Sequence, residues 1–499
     1  MPPSLLLTGS LLLLAGCVGL PKAPAPTNPA RFLSVNDLVG LDTLPDGNGG
    51  IARIATLEKR IASEGPVLLV VAGDFLGPSL ASRFFGGRPM VEALNAAGVD
   101  YVTFGRHDFE EGFDSLTVRI AASRFKWLSA NCTDPAGRPI AGVLPWDTLR
   151  VYQSRLGLFG LTAAHTAPDG TACTDPAAAA RAAIDTLARL GVDMIVAITH
   201  QPLDDDVDLL TREGQLDLVL GGDTETAATV ASGARHVAKA DGRGQSAQFV
   251  TMWGAKGQWR EAPRLLDVRP NLAPDPAVAR VVSAWRDSVS TRLGPDAVVG
   301  YLVDTLDARQ VTQRRGESAL GNLVTDGIRA GTGADVALLN AGALRIDGLL
   351  LPGPLTRYEL ESYFPFGDDT RVVVVTLSGS RLRDVLEQGV SDQSLGRGGY
   401  LQVSGVRYVV DRSRPSGSRI VGPITRFDNR LVTVDERLRV ALPGYLACAG
   451  GDGYRVPEAS AACASAEPGP RVVDLLASHI AERLGGRASP PPGGRVTIR

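Results

Sequence analysis

Short apolar runs alternate with helical stretches over the first half of the chain. Six runs predict β-strands: Phe32–Val35, Val67–Ala72, Tyr101–Phe104, Leu156–Leu161, Met194–Ile198 and Leu216–Leu220. Several are continuously apolar, which is typical of strands buried on both faces of a sheet. Residues 275–296 carry apolar positions at helical spacing, open near Pro276 and close at Gly294-Pro295, so they predict a linking helix. A second β/α unit follows and ends in a short strand at 495–498.

Polar residues directly follow many of the predicted strands. These clusters are Asn36-Asp37, Gly73-Asp74, Gly105 to Asp108, Thr199-His200 and Gly221 to Asp223. The carboxyl ends of sheet strands are where α/β folds place their chemistry. One Asp after a strand is usually a cap or turn residue, but a cluster at each of several strand ends points to a shared site.

Composition narrows the possible partners. The chain has 499 residues, of which 44% are hydrophobic and 21% charged, and this predicts folded domains rather than wholesale disorder. Lys and Arg number 51 against 54 Asp and Glu, so the net charge is −3. A nucleic-acid-binding protein normally carries a basic excess, and we therefore expect no nucleic-acid partner.

The N-terminus predicts export. Residues 5–16 form an apolar stretch too short to span a bilayer as a stable helix, and it ends in Leu-Ala-Gly-Cys17. This resembles a bacterial lipobox, which implies a signal peptide at 1–17, lipidation of Cys17 and, with Val18, an outer-membrane anchor facing the periplasm. A plain cleaved signal peptide is the alternative, because no basic residue precedes the apolar stretch. Residues 18–30 are Pro/Ala-rich and predict a tether.

The remaining cysteines permit two disulfides in an exported chain. Sequence proximity favours Cys132–Cys173 and Cys448–Cys463, and two other pairings stay open. None of these residues lies in a CxxC pattern, so we expect no thiolate metal site.

Several motifs in order resemble the 5′-nucleotidase family. The motifs are Gly73 to Ser79, Gly105 to Gly112, Glu317 to Leu323, Asn340 to Arg345, Pro365 to Gly367, Leu401 to Gly405 and Gly450 to Gly453. The resemblance implies α/β and α+β architecture: a calcineurin-like metallophosphoesterase β-sandwich flanked by helices at 31–272, a linking helix at 273–297 and a substrate-binding domain at 298–499. The resemblance also implies that the protein is a phosphoric ester hydrolase of nucleotide catabolism. It further implies that the second domain rotates relative to the first to carry the substrate to the metals, and we place the hinge at the linking helix.

The resemblance implies a metal centre with altered ligands. The residues at its metal-ligand positions are Asp37, Asp74, His200, Asp223 and Glu225. His107 matches the catalytic histidine, and Glu110 stands where an acidic residue supports it. Four positions depart from the family: Val39 replaces a histidine ligand, Arg106 replaces an asparagine ligand, and Asp223 and Glu225 stand where the family has two histidines or a histidine and a glutamine. Valine cannot bind a metal, and arginine adds a fixed positive charge and offers no lone pair.

Two hypotheses follow from these departures. The four carboxylates at the ligand positions are Asp37, Asp74, Asp223 and Glu225. In one pocket they cannot all stay ionised without a positive group among them. In the first hypothesis one divalent cation (Mn, Mg, Ca or Zn), rather than two, lies among them and hydrolysis survives. In the second there is no metal, Arg106 takes its place through salt bridges, and the protein is a catalytically silent nucleotide or nucleoside binder.

The second half of the chain resembles the family's nucleotide pocket, in which two rings sandwich the base, an Asp holds the ribose, and Asn and Arg reach the phosphate. The residues at these positions are Phe366, Tyr445, Asp452, Asn340 and Arg345. Stacking on a ring contributes ~1–3 kcal/mol per base, and a guanidinium suits phosphate. The stretch from Tyr445 to Asp452 is one residue longer than the usual pattern, so Leu446 competes for the second ring position.

Overall fold

The computed structural model describes residues 28–499, apart from 225, 255, 257, 393 and 465–468, and apart from the side chains of 368 and 369. Cys17 and the predicted signal peptide lie outside the described residues, and so does Glu225. Among the helices that the structure describes, none has the length and apolar character needed to cross a bilayer.

The first unit is a sandwich of two β-sheets with helices on its outer faces. Its strands are β1 (Ala30–Val35), β2 (Leu68–Ala72), β3 (Tyr101–Thr103), β4 (Lys126–Leu128), β5 (Cys132–Thr133), β6 (Val143–Leu144), β7 (Trp146–Val151), β8 (Ser154–Thr162), β9 (His165–Thr166), β10 (Ala172–Cys173), β11 (Met194–His200), β12 (Leu218–Gly221), β13 (Ala228–Ser232), β14 (Arg235–Lys239), β15 (Ser246–Trp253) and β16 (Arg260–Asp267). Its helices are α1 (Ile51–Ala62), α2 (Leu80–Phe85), α3 (Arg88–Ala97), α4 (Phe113–Ala122), α5 (Pro176–Arg189), α6 (Leu203–Arg212) and α7 (Pro276–Leu293). All six strands predicted from the apolar runs are present.

The two main sheets have the orders β16-β15-β1-β2-β3-β4-β6 and β13-β14-β12-β11-β8-β7. Strands β1, β2, β3 and β4 run parallel in the first sheet, as do β8, β11, β12 and β14 in the second. Residues such as Phe32 and Val70 of one sheet pack against Leu158 and Val196 of the other, and all four are fully buried. The carboxyl ends of the parallel strands therefore meet along one edge of the sandwich.

Helix α7, predicted as the linker, belongs by its packing to the first unit. Asp275 caps it by accepting hydrogen bonds from the backbone N–H groups of Ala277 and Val278. Val278 is fully buried in the core beneath the first sheet. The indole N–H of Trp285 donates to Glu92 of α3 over 2.9 Å. These contacts fix α7 to the first unit.

The second unit is built around a four-stranded sheet of order β22-β26-β19-β23. Its strands are β17 (Val298–Leu302), β18 (Leu306–Asp307), β19 (Val336–Asn340), β20 (Leu349–Leu350), β21 (Gly353–Thr356), β22 (Val372–Ser378), β23 (Leu401–Ser404), β24 (Val406–Val410), β25 (Ile420–Arg426), β26 (Arg437–Pro443), β27 (Arg487–Ala488) and β28 (Val496–Ile498). Its helices are α8 (Gln310–Arg315), α9 (Ala319–Thr332), α10 (Arg357–Tyr363), α11 (Gly379–Gly389), α12 (Gly444–Ala447), α13 (Ser460–Cys463) and α14 (Val472–Ser478).

Alternate residues of β19 face different layers, as a strand requires. Ala337 and Leu339 pack with α9 and α14, whereas Val336 and Leu338 pack with α11. Both faces are thus covered, and Asn340 at the strand's end is carried to the sheet edge.

Polar contacts join the two units. Arg83 of α2 lies 3.3 Å from Glu361 of α10, and the Tyr358 hydroxyl donates to Asp42 over 3.0 Å. Among the described residues, no hydrophobic core cluster includes members of both units. Each unit therefore has its own core, and charged and hydrogen-bonded groups hold them together.

The structure contains two disulfides. Cys132–Cys173 joins the paired strands β5 and β10, and Cys448–Cys463 closes a short loop that ends in α13. These are the pairs that sequence proximity favours.

Candidate active site

Three side chains from separate strand ends converge at the edge of the sandwich. Asp37 follows β1, Asp74 follows β2, and His200 is the last residue of β11. One potential ligand atom from each lies within 4.8 Å of the others, and all three residues are buried. We call this set the Asp-Asp-His cluster.

The backbone at the cluster turns sharply. Asp37 and Asp74 each have φ of 52°, and Asp223 after β12 has φ of 66°. This left-handed region is uncommon for residues other than glycine, although Asp tolerates it better than most. Such conformations concentrate at functional sites, and three of them at neighbouring strand ends mark the same place that the polar clusters predict.

Two glycines make the close approach of these loops possible. A Cβ atom on Gly105 would lie 2.1 Å from Oδ1 of Asp74, and one on Gly222 would lie 2.1 Å from the carbonyl oxygen of Ala72. Neither distance is compatible with any side chain. The glycines therefore let the loops after β3 and β12 close against the loop after β2.

His200 is oriented by a backbone hydrogen bond. Its Nδ1 lies 2.8 Å from the carbonyl oxygen of Ala72, so Nδ1 carries the proton and Nε2 presents a lone pair. Nε2 lies 3.1 Å from Asp74 and 3.9 Å from Asp37. Two carboxylates facing this nitrogen require a positive group there, either a proton on Nε2 or a cation that takes its lone pair, and the set of two carboxylates and one imidazole fits a divalent cation.

Negative charge dominates the electrostatics of the cluster. Burial alone would lower the pKa of His200, but the charges of Asp74 and Asp37 outweigh burial and raise this pKa well above its usual value. Burial alone would raise the pKa of Asp74, but His200 and His107 hold it well below its usual range. The pocket therefore favours ionised carboxylates together with a positive charge.

The other residues at ligand positions lie at the rim or away from it. Asp223 Oδ1 lies 3.8 Å from His200 Nε2, and the Asp223 side chain is 37% exposed, so it borders the cluster on its solvent side. Val39 is buried among apolar residues and supplies no ligand. Among the described residues of the pocket, only the Asp-Asp-His cluster brings three potential metal ligands close together, and there is no second such group.

Asp108, which the motif analysis did not single out, ties two of the loops together. Its carboxylate accepts hydrogen bonds from the backbone N–H groups of Asp74, Phe75, Leu76 and Gly105, at 2.7–3.0 Å. Burial and the charge of Asp74 raise the pKa of Asp108 to about 6. The signal that could have identified Asp108 is its place three residues after Gly105, the glycine that follows β3.

Lys239 is a second supporting residue that the sequence analysis missed. Its Nζ donates to the carbonyl oxygens of Gln201 and Gly222, each over 2.6 Å, and lies 2.8 Å from Asp206. Both charged side chains are fully buried. The two carbonyls adjoin His200 and Asp223, so the buried pair fixes both loops. The available signal was a rare lysine at the end of a strand in an arginine-rich chain.

His107 lies between the cluster and the second unit. Its backbone N–H donates to Asp74 over 2.8 Å, and its Nδ1 contacts Glu110 directly. Its Nε2 lies 3.0 Å from Nη2 of Arg345, which belongs to the second unit. Arg243 supports this approach by donating to the carbonyl oxygen of Arg345 over 2.9 Å.

The residues predicted for the nucleotide pocket lie together beside that contact. The Arg345 guanidinium lies 5.2 Å from the centre of the Phe366 ring. Asp452 accepts hydrogen bonds from Asn340 at 3.0 Å and from the Tyr445 hydroxyl at 3.4 Å.

Burial separates the two candidates for the second ring position. The Tyr445 ring is 39% exposed, whereas Leu446 is buried in the core of the second unit. Tyr445 is therefore the residue available to a ligand.

Arg106 lies elsewhere than the second hypothesis requires. It opens a short 3-10 turn, Arg106–Phe109, that directs His107 inward and leaves Arg106 exposed. Among the described residues Arg106 forms no ion pair with Asp37, Asp74 or Asp223. Its charge acts instead on Asp452 of the second unit. Burial raises the pKa of Asp452, and Arg106 is one of the groups that oppose this increase. The expectation that Arg106 fills the metal pocket is therefore wrong for the carboxylates that the structure describes.

Comparisons with known proteins agree with this architecture. Residues 298–459 match the family model of the 5′-nucleotidase C-terminal domain. The chain is 27% identical over 477 residues to a snake venom 5′-nucleotidase of Naja atra, covering 85% of this chain and 89% of that protein. It is 27% identical over 463 residues to a 5′-nucleotidase of Homo sapiens, covering 82% and 79% respectively. The structure of a 5′-nucleotidase precursor from Thermus thermophilus is similar with a TM-score of 0.81 at 25% identity, covering 94% of this chain and 99% of that one.

Proposed function

Because the chain belongs to the 5′-nucleotidase family, we propose that it hydrolyses nucleotides or related phosphate esters outside the cytoplasm with the help of a divalent cation. One observation carries the proposal: His107 of the first unit lies 3.0 Å from Arg345 of the second. This contact brings the candidate nucleotide pocket to the edge of the Asp-Asp-His cluster, as hydrolysis of a bound nucleotide requires.

The cluster would hold the cation. Two carboxylates and one imidazole from Asp37, Asp74 and His200 suit Mn, Mg or Zn better than a soft metal, and Ca would need further oxygen ligands. When bound, the cation would neutralise the charge of a phosphate ester and act as a Lewis acid. One cation is favoured over two, since Val39 and Arg106 occupy the positions of two family ligands.

His107 is the group that we assign to the leaving oxygen. Its Nδ1 contacts Glu110, which holds the ring in one orientation and leaves Nε2 facing the cleft between the units. In this structure Nε2 accepts from the Arg345 guanidinium, which can only donate. Nε2 would therefore take up a proton after Arg345 turns away, and would deliver it to the ester oxygen as the bond to phosphorus breaks. Arg345, in contact with the same nitrogen, would turn its guanidinium to the phosphate oxygens once a substrate enters.

The remaining pocket residues would hold the nucleoside. The Phe366 and Tyr445 rings suit stacking on either face of a base, which contributes ~1–3 kcal/mol per base and tolerates different bases. The Asp452 carboxylate, already oriented by Asn340, would accept hydrogen bonds from the ribose hydroxyls. In this proposal the second unit recognises the nucleoside, and the first unit carries the groups that hydrolyse the ester.

Phosphate release tests the hydrolase proposal. The purified protein with added Mn is expected to release phosphate from nucleoside 5′-monophosphates, and Asp74→Asn is expected to abolish the release. Asp114→Asn, at an exposed position of α4, is the matched control and should retain it. The proposal fails if the wild-type protein releases no phosphate from any nucleotide with Mn, Mg, Ca or Zn.

Ligand binding separates a hydrolase from a silent binder. Adenosine is expected to raise the melting temperature, and Phe366→Ala should remove the shift. Tyr301→Ala, at a position 52% exposed on β17, should leave it unchanged. A shift that depends on Phe366 without any phosphate release would instead indicate a non-catalytic nucleoside binder.

We also propose export and lipid anchoring through Cys17. The lipobox resemblance supports the anchor, and the two disulfides support an oxidising compartment. Expressed in a bacterium with labelled fatty acid, the protein should carry label and fractionate with membranes, and Cys17→Ser should do neither. Equal labelling of both proteins would contradict the anchor.

A further inference from the structure

Among the residues that the structure describes, Arg106 has no structural partner that explains it. Its side chain is exposed and takes part in no hydrogen bond or ion pair within that part of the chain. Arginines elsewhere on this chain are commonly paired with Asp or Glu, as Arg357 and Arg495 are. An exposed guanidinium of this kind beside the proposed acid His107 calls for a functional explanation.

The backbone that carries Arg106 is held rigidly. Gly105 before it has no room for a side chain because of Asp74, and His107 after it donates its N–H to Asp74 over 2.8 Å. Asp108 closes the turn by accepting the N–H of Gly105. The position of the Arg106 backbone is therefore fixed by the same contacts that build the Asp-Asp-His cluster.

This backbone position lies beside the cleft between the units, since the next residue contacts the second unit. Its neighbour His107 touches Arg345 across the cleft at 3.0 Å. Arg106 and Arg345 both act electrostatically on Asp452, and Arg106 also acts on Tyr445. Two guanidiniums from different units thus flank the space between the Asp-Asp-His cluster and the nucleotide pocket.

We propose that Arg106 binds the phosphate of a nucleotide in the closed protein and so discriminates nucleotides from nucleosides. The inference deepens the proposed function, since it assigns the phosphate ligand of that same site. A guanidinium presents several N–H donors in a plane that matches two phosphate oxygens, and its charge does not depend on pH. Its charge would act on the phosphate in place of a second cation, for which Val39 and Arg106 leave two family ligand positions without a ligand.

Binding of a stable analogue tests the inference independently of turnover. The probe is the phosphonate analogue of AMP, whose P–C bond is not hydrolysed, compared with adenosine by calorimetry in Mn. The wild-type protein should bind the phosphonate more tightly than adenosine. Arg106→Ala should weaken phosphonate binding about 10- to 100-fold and leave adenosine binding unchanged, whereas Arg106→Lys should retain part of the affinity. Arg124→Ala, at an exposed position of the same unit, is the control and should change neither.

Each outcome decides the matter. Unchanged phosphonate affinity in Arg106→Ala overturns the inference, and so does an equal loss for adenosine, which would indicate a structural role. A wild-type protein that binds the phosphonate no more tightly than adenosine also overturns it. Discrimination that depends on Arg106 without phosphate release from AMP would uphold the inference and reject the hydrolase proposal, so the two failures are distinguishable.

Discussion

Replacing Lys239 by methionine tests how the buried ion pair behind the Asp-Asp-His cluster supports the fold. The change removes a charge whose Nζ serves two carbonyl oxygens and the carboxylate of Asp206, all within 2.8 Å. Methionine has a similar length and no donor, so the volume is nearly kept. Asp206 would be left fully buried without its counter-charge.

The expected cost is large. Removing one partner of a buried pair typically destabilises by about 3–5 kcal/mol, because the other charge remains uncompensated. Native domains have about 5–15 kcal/mol of stability in total. For a unit of this size each kcal/mol lowers the melting temperature by about 2–4 °C, so the transition of the first unit should fall by about 6–20 °C. Burial already raises the pKa of Asp206 against the opposing effect of Lys239, and in the variant Asp206 is expected to take up a proton.

Calorimetry of three proteins provides the assay. Lys239→Met should shift the transition of the first unit, and the double variant Lys239→Met with Asp206→Asn should recover most of the loss, since no charge is then left buried. Arg212→Met is the control: Arg212 pairs with Asp208, the two side chains are 70% and 63% exposed, and exposed pairs contribute only about 0–1 kcal/mol.

Two results would refute this reasoning. One is a Lys239→Met transition within about 1 kcal/mol of the wild type, which is the range of an exposed pair. The other is a double variant no more stable than the single one, which would mean that the lost carbonyl hydrogen bonds dominate. Manganese affinity, measured on the folded variant, should fall because the loops carrying His200 and Asp223 lose their common anchor.

Three further predictions concern positions away from the proposed catalytic residues. Burial and the charge of a neighbouring aspartate raise the pKa of Glu261 to about 9. Protonated Glu261 therefore favours folding, and this contribution is lost as the pH rises from about 4.5 to 9. The stability of Glu261→Gln relative to the wild type should increase by at most about 1.4 kcal/mol per pH unit across this window, and a melting difference independent of pH would contradict the prediction. Gly222→Ala should reduce Mn affinity at least tenfold, because its methyl group would displace the Ala72 carbonyl and His200; calorimetric titration showing wild-type affinity would count against that packing. Asp275→Ala should cost about 0.5–2 kcal/mol through loss of the cap of α7, as chemical denaturation can measure.

The sequence was sufficient for the buried strands of the first unit, for helix α7 and for much of the candidate site. Continuous apolar runs mark buried strands, and polar residues after them predict where the loops meet, which is why Asp37, Asp74 and His200 could be expected in one pocket. Parallel strands force their carboxyl ends to one edge, so the order of strands along the chain already implies convergence.

Side-chain directions and buried charges could not be predicted in the same way. The position of Arg106 in a ligand motif suggested that its side chain lies in the metal pocket. In the 3-10 turn that carries both residues, however, His107 is buried and Arg106 is exposed. Lys239 stands at the end of β14, and its partner Asp206 lies on a helix more than thirty residues earlier in the chain. Long-range pairs of this kind depend on tertiary packing, which no local pattern records.

The separation of the two cores has a consequence for turnover. The units meet through groups such as Arg83, Glu361, Tyr358 and Asp42, all of which water can solvate when the units part. If the proposed turnover requires the units to part, opening would exchange these protein contacts for hydration without uncovering either hydrophobic core, and it would cost little free energy. Salt screens such contacts, so the proposed opening would become easier as the ionic strength rises.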